Sequence, residues 1–231
     1  MENLIDYSFD NDLSTTEMLR WLPWVGKNYN DNERNLLVVG ESHYTDKESS
    51  LEKFMENERD NSYTRACIYE AVIDRKDWTN RTYDNIHRAL LKTNDFDTEV
   101  FWKQICYYNF VQRLMSSNKD RPTSDDFYNS WKTFIEVIKI LKPTDCIFIG
   151  VEASKSFNQA MEILNMEHSR IKYPSKVGAV WARTSRIMTN ANDLKISFIK
   201  HTSKYFSWNK WNIFLENEHK DVLPNLKNLI S

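Results

Sequence analysis

The chain has 231 residues with 31 Lys/Arg against 33 Asp/Glu, a formal net charge of −2, 41% hydrophobic and 13% aromatic side chains. This length and balance describe one globular domain, residues 1–231, with a sizeable core and no Pro/Gly/Ser-rich linker to divide it. Three scattered cysteines without CxxC spacing argue against disulfides and an Fe–S cluster, and no run of about 18 apolar residues offers a membrane span. The first residues lack the basic and apolar regions of a signal peptide, so the expectation is a cytoplasmic protein with no membrane partner.

The charges are unevenly spread. Residues 1–62 hold 14 acidic against 6 basic side chains, whereas residues 168–211 hold nine Lys/Arg against Asp193 alone. Interleaved with Tyr173, Trp181, Tyr205, Phe206, Trp208 and Trp211, those cations suit a nucleic acid, since cations neutralise phosphates and rings stack on bases.

In chain order, "STTE" at 14–17 has the reciprocal residues of a capping box and predicts a short helix running toward Trp24. Residues 36–39, apolar without alternation, predict a strand buried on both faces. Beyond it, "GESHY" (40–44) predicts a polar loop. Helical spacing runs from Ser49 to about Lys92, with "DRKDWTNRTYDN" read as a solvated turn inside it. Residues 105–112 predict a second strand that ends near Asn109, and 124–141 a helix capped by Ser124 and stopped before Pro143. Residues 145–150 are a third buried strand, 152–165 a helix, 178–187 strand-like, and 194–200 a last strand before two terminal helices.

Alternating strands and helices predict an α/β fold, a three-layer αβα sandwich around a mostly parallel four-stranded sheet. Ligands of such sheets bind beyond the carboxyl ends of the strands, where Glu41, Ser42, His43, Tyr44, Asn109, Glu152, Lys200, His201 and Ser203 would converge. Neither GxGxxG nor a P-loop occurs, so no dinucleotide cofactor is expected, nor any other cofactor or metal.

On these four segments the chain resembles the uracil-DNA glycosylase superfamily. "LLVVGESHY" looks like its first motif, "CYYNFVQ" its second strand, "PTDCIFIGVEA" its third, and "FIKHTSKYF" its last motif, together spanning about residues 36–206. The resemblance implies a monomeric enzyme with DNA as partner, which rotates a nucleotide out of the duplex and hydrolyses its N-glycosidic bond. It implies that Asn109 reads the base, Tyr44 excludes bulky substituents, Phe54 stacks, and His201 donates to the leaving base. Glu41, or His43, with Ser42 beside them, would activate water or stabilise the sugar cation. Lys200, Ser203 and Lys204 would hold phosphates, and Tyr205 or Phe206 would fill the vacated stack. The best-known branch carries Asp where Ser42 stands and Pro where His43 stands, which leaves the substrate open among uracil and other modified bases, including those of invading phage DNA. Two other readings stand beside it. One is a non-catalytic nucleic-acid or protein-binding module; the other is a GExH hydrolase like the haem-uptake and erythromycin-esterase-like proteins, with Glu41 and His43 as the pair.

Overall fold

A computed structural model describes residues 1–45, 50–75, 81–117 and 119–230. The strands are β1 (Trp24–Val25), β2 (Leu36–Tyr44), β3 (Cys106–Met115), β4 (Asp145–Ile149), β5 (Lys176–Val177), β6 (Val180–Trp181), β7 (Arg183–Met188) and β8 (Asp193–Ile199). Among the described residues six of them form one sheet in the order β1-β3-β2-β4-β8-β7, while β5 and β6 form a separate two-stranded ribbon. The four central strands are mutually parallel; β1 and β7 add antiparallel edges. The expected parallel sheet is therefore the middle of a wider, mixed one. The strand-like stretch 178–187 divides, its first part joining the ribbon and its second pairing with β8.

Successive residues of the central strands feed opposite cores. Leu36, Val38, Ile147 and Ile149 pack on one face with Ile86, Leu90, Trp211 and Leu215; Leu37, Val39, Cys146 and Phe148 pack on the other with Trp131, Phe134 and Phe157. Burial on both faces is why these strands read as unbroken apolar runs. At about 25 cal/mol per Å² of apolar surface, each fully buried Val, Leu or Phe contributes about 1.5–3 kcal/mol.

The helices that carry those faces are α1 (Asp10–Ser14), α2 (Leu51–Arg59), α3 (Tyr63–Ile68), α4 (Arg81–Leu91), α5 (Thr98–Trp102), α6 (Ser124–Leu141), α7 (Phe157–Ile163), α8 (Trp208–Glu218) and α9 (Leu223–Leu229). Several differ from the sequence expectation. "STTE" closes a helix instead of opening one: the Ser14 and Thr15 hydroxyls donate back to the Asn11 and Asp12 carbonyls, and Met18 then takes a left-handed φ of 64°. Local hydroxyl-to-backbone bonds of this kind compete with capping. The expected long helix is three, with α3 running on into a π-turn, Tyr69–Ile73. Ser49 and residues 76–80 of the expected turn lie outside the described residues, while Arg81–Leu91 is helical and buries Asn85. Helix α6 is capped by Thr123, whose hydroxyl accepts from the Asp126 amide while the Asp126 carboxylate accepts from the Thr123 amide. Thr123 holds the extended backbone that an N-cap requires, one residue ahead of Ser124.

Candidate functional site

The topology creates the cleft. From β2 the chain crosses to β3 on one side, whereas from β4 it crosses to β8 on the other, so β2 and β4 flank the point where strand order reverses. Crevices form at such points. The β2–β4 ladder ends at Val39↔Phe148, but β2 continues through Tyr44. The motif 40–44 is thus extended strand, not loop, and its pairing with β3 carries on from Gly40↔Asn109 to Ser42↔Val111 before the register shifts ahead of Tyr44. The unequal strand ends leave a step above Gly150, and the Glu41 side chain reaches across it: a Cβ added to Gly150 would lie 3.6 Å from Glu41 Oε2.

The resulting cleft of about 720 Å³ is lined by Glu41, Tyr44, Arg121, Phe127, Glu152, Val180, Lys200, His201 and Ser203, among others. Three strand ends therefore meet as expected. A larger depression of about 970 Å³ runs along α2 but draws its lining from residues 50–60 alone, so no second element brings groups into it.

Electrostatics differentiates the two central groups. Burial raises the Glu41 carboxyl above its ordinary range; Arg121 opposes this and Glu152 adds to it. Burial lowers His201, and Arg121 lowers it further. The Ser203 amide donates to His201 Nδ1 at 3.2 Å, which leaves the neutral ring its proton on Nε2. The His201 loop is held from behind by Asn85 on α4, whose Nδ2 donates to the Thr202 carbonyl at 2.7 Å. Lys200 Nζ closes the same loop by donating to the Tyr205 carbonyl at 2.7 Å. Arg121 in turn donates to the Tyr44 hydroxyl at 2.9 Å, and its segment is clamped by Arg113, which binds both Asp120 and Asp126.

Other candidates lie elsewhere. His43 is turned into the core, sharing a 2.8 Å hydrogen bond with Thr64 Oγ1 and packing edge-on against Trp21. Burial lowers its pKa to about 3. Glu41 and His43 therefore do not form a GExH pair, and among the described residues no three His, Cys, Asp or Glu side chains are grouped to hold a metal ion. Ser42 buries its hydroxyl without a hydrogen-bond partner. Asn109 is mid-strand, not at a strand end, and 4% exposed; Tyr107 Oη donates to its Oδ1 at 3.2 Å, and both groups lie under Gly40. It is not among the residues lining the cleft. Nor is Phe54, half-buried on α2.

The last motif divides by exposure. Phe206, partly buried, packs against the core and lies parallel to Trp211 at 6.2 Å. Tyr205 is 95% exposed and holds a left-handed φ of 57°, a conformation costing a bulky residue about 1–3 kcal/mol. Lys204 beside it is exposed. Arg121, Phe127 and Val180 were not legible in the sequence; one of the two cations in "NKDRP" carries no local signal that it will face Glu41.

A second polar constellation was also invisible in sequence. His219 shares hydrogen bonds with Asp145 Oδ1 at 2.7 Å and Ser197 Oγ at 2.8 Å, all three at most 3% exposed. Ser, His and Asp in this order evoke nucleophilic catalysis. Their burial at the start of β4, away from the carboxyl-end cleft, makes them a structural staple for the α8–α9 junction.

No protein-family model matches the chain, and a search of curated proteins finds no significant match. No helix among the described residues is long and apolar enough to cross a membrane.

Proposed function

We propose that the chain is a DNA N-glycosylase of the uracil-DNA glycosylase type, taking an extruded modified base into the β2–β4 cleft. The observation that carries this reading is the meeting of Glu41 and His201 in one cleft, with an aromatic side chain four residues after His201 that is 95% exposed on strained backbone. The Tyr205 ring packs against little of the fold, so its exposure fits a ring that enters the stack left by a rotated nucleotide.

The chemistry follows from the protonation states. As the bond from C1′ to the base nitrogen breaks, negative charge grows on the base and positive charge on the sugar. Neutral His201 donates from Nε2 to a base oxygen, and this hydrogen bond strengthens as the anion forms. Glu41, ionised, faces the sugar cation and accepts a proton from the water that attacks C1′. Its raised pKa brings it closer to the working range of a general base. Glu41 thus takes the role that Ser42 lacks the acid group to perform. Lys200, Ser203 and Lys204 provide phosphate contacts.

Two features favour a base larger than uracil. Asn109 is withdrawn beneath Gly40 and engaged with Tyr107. The cleft also shares Pro122, Phe127 and Glu152 with a further cavity of about 510 Å³, lined by Thr123, Ser124, Asp125, Tyr128 and Gln159. With Lys155 paired to Glu152 in the same lining, these hydroxyls, carboxylates and ring accept a hydroxylated substituent through hydrogen bonds. Modified bases of invading phage DNA belong to this class.

The test is base release, followed by alkaline strand scission, from duplexes bearing uracil, 5-hydroxymethylcytosine or its glycosylated derivatives. Wild type is expected to release a substituted base, and Glu41→Gln and His201→Asn to lower the rate at least about a hundredfold. DNA binding without release from any duplex would point instead to a non-catalytic binding module.

A further inference from the structure

The β5–β6 ribbon has no role in the cleft chemistry. Lys176 and Val177 pair with Trp181 and Val180 around a turn at Gly178, whose φ is 63°. Its inner side is anchored: Val177 and Val180 pack on the core that contains Trp211 and Phe214, and Val180 also lines the cleft. Its outer side is not. Trp181 is 49% and the preceding Tyr173 57% exposed, and Lys172 and Lys176 are exposed with them. From His168 to Ala182 the chain carries Arg170, Lys172 and Lys176 and no carboxylate. Arg170 is answered by Glu162 at 3.6 Å.

The ribbon is also braced for load. Arg183 donates to the Val151 carbonyl and Ser154 Oγ in the segment after β4 and lies over the Tyr173 ring at 5.8 Å. One guanidinium thus ties the exposed ring to the segment after β4, whose Val151 lines the cleft. Exposed rings cost solubility, and rings set among uncompensated cations on a rigid support fit a polyanion with flat, partly apolar sugar and base surfaces.

We propose that this ribbon, with Tyr173, is a second DNA-contacting ridge, gripping the sugar-phosphate backbone of duplex flanking the nucleotide in the cleft. Lys172 and Lys176 pair with phosphates, and Trp181 and Tyr173 lie against the sugars. The inference rests on the reading of the cleft as a base-accepting site, and it adds a contact that depends on flanking duplex and is indifferent to sequence.

Fluorescence anisotropy of a labelled duplex carrying an abasic-site analogue, titrated over a range of salt, tests it. Lys172→Ala/Lys176→Ala is expected to weaken binding about tenfold and to lower the slope of log K against log salt by about 2, one phosphate per lysine. Trp181→Ala weakens binding with the slope unchanged, and Lys139→Ala on α6 is the control cation. Because the substituted side chains are exposed, a melting temperature equal to wild type certifies the fold. Wild type that binds and releases base while the ribbon variants keep its affinity and slope overturns the ridge alone. Wild type that binds no duplex overturns both the ridge and the cleft reading.

Discussion

Replacing His219 by Ala tests how the fold holds the C-terminal helices. His219 is 1% exposed and bridges Asp145 and Ser197, which are 3% and 0% exposed. The substitution leaves a buried carboxylate and a buried hydroxyl without their shared partner. Leaving an ionised carboxylate buried without its partner costs about 3–5 kcal/mol. The Thr144 hydroxyl still donates to Asp145 Oδ2 at 2.9 Å, which places the expected loss near the lower end. For a chain of this size each kcal/mol lowers Tm by about 2–4 °C, so the shift is roughly 6–12 °C at about 3 kcal/mol. Ser197→Ala, which orphans one ring nitrogen, costs less, about 1–3 kcal/mol. Urea unfolding monitored by tryptophan fluorescence measures both. Asp145 adds a pH signature: burial raises its pKa, but the hydrogen bond and charge of His219 and the bond from Thr144 outweigh burial and hold it below the ordinary carboxylate range. A depressed folded pKa means stability that is present above the unfolded value and lost as pH falls through the folded one. A His219→Ala protein less than about 1 kcal/mol weaker than wild type, below the range for a broken buried pair, would refute the staple.

Gly40→Ala places a methyl group onto Asn109 Oδ1 and Tyr107 Oη, and the overpacking is expected to cost about 1–3 kcal/mol in chemical denaturation. His43, lowered to about 3, gives stability that is complete above 6.5 and declines as pH falls from 6.5 toward 3, by up to about 1.4 kcal/mol per pH unit; His43→Asn should flatten that part of a pH–stability curve. Base release should fail on the acid side at a pH above the usual carboxylate range, because the Glu41 pKa is raised; a rate profile flat down to pH 4 would remove Glu41 from the chemistry. Tyr205→Ala should leave stability within about 0.5 kcal/mol, as an exposed side chain does, while sharply lowering release from duplex and sparing single strands, where no stack has to be filled.

The central strands were legible because their cause is local. Residues 36–39 and 146–149 are apolar at every position, and only burial on both faces of a parallel sheet rewards that composition. Helix α6 was legible from its acidic first turn and Pro143. The meeting of Glu41, Lys200, His201 and Ser203 followed from the same alternation, since the carboxyl ends of parallel strands share one edge. Strand length was not legible: polar residues after an apolar run look like a loop, which places Asn109 and His43 at the rim. The β2–β3 ladder instead carries both onward, and one then bonds Tyr107 and the other Thr64. What the chain determined by itself was therefore the layered α/β architecture and the edge on which polar groups gather. Tertiary structure alone decided which of them face the cleft, that Arg121 and Phe127 join them, that Tyr205 is bare while Phe206 packs against the core, and that Asp145, Ser197 and His219 close into a buried network. Each of these depends on partners up to about 160 residues apart in sequence, and no periodicity or capping pattern within a short window records such a contact.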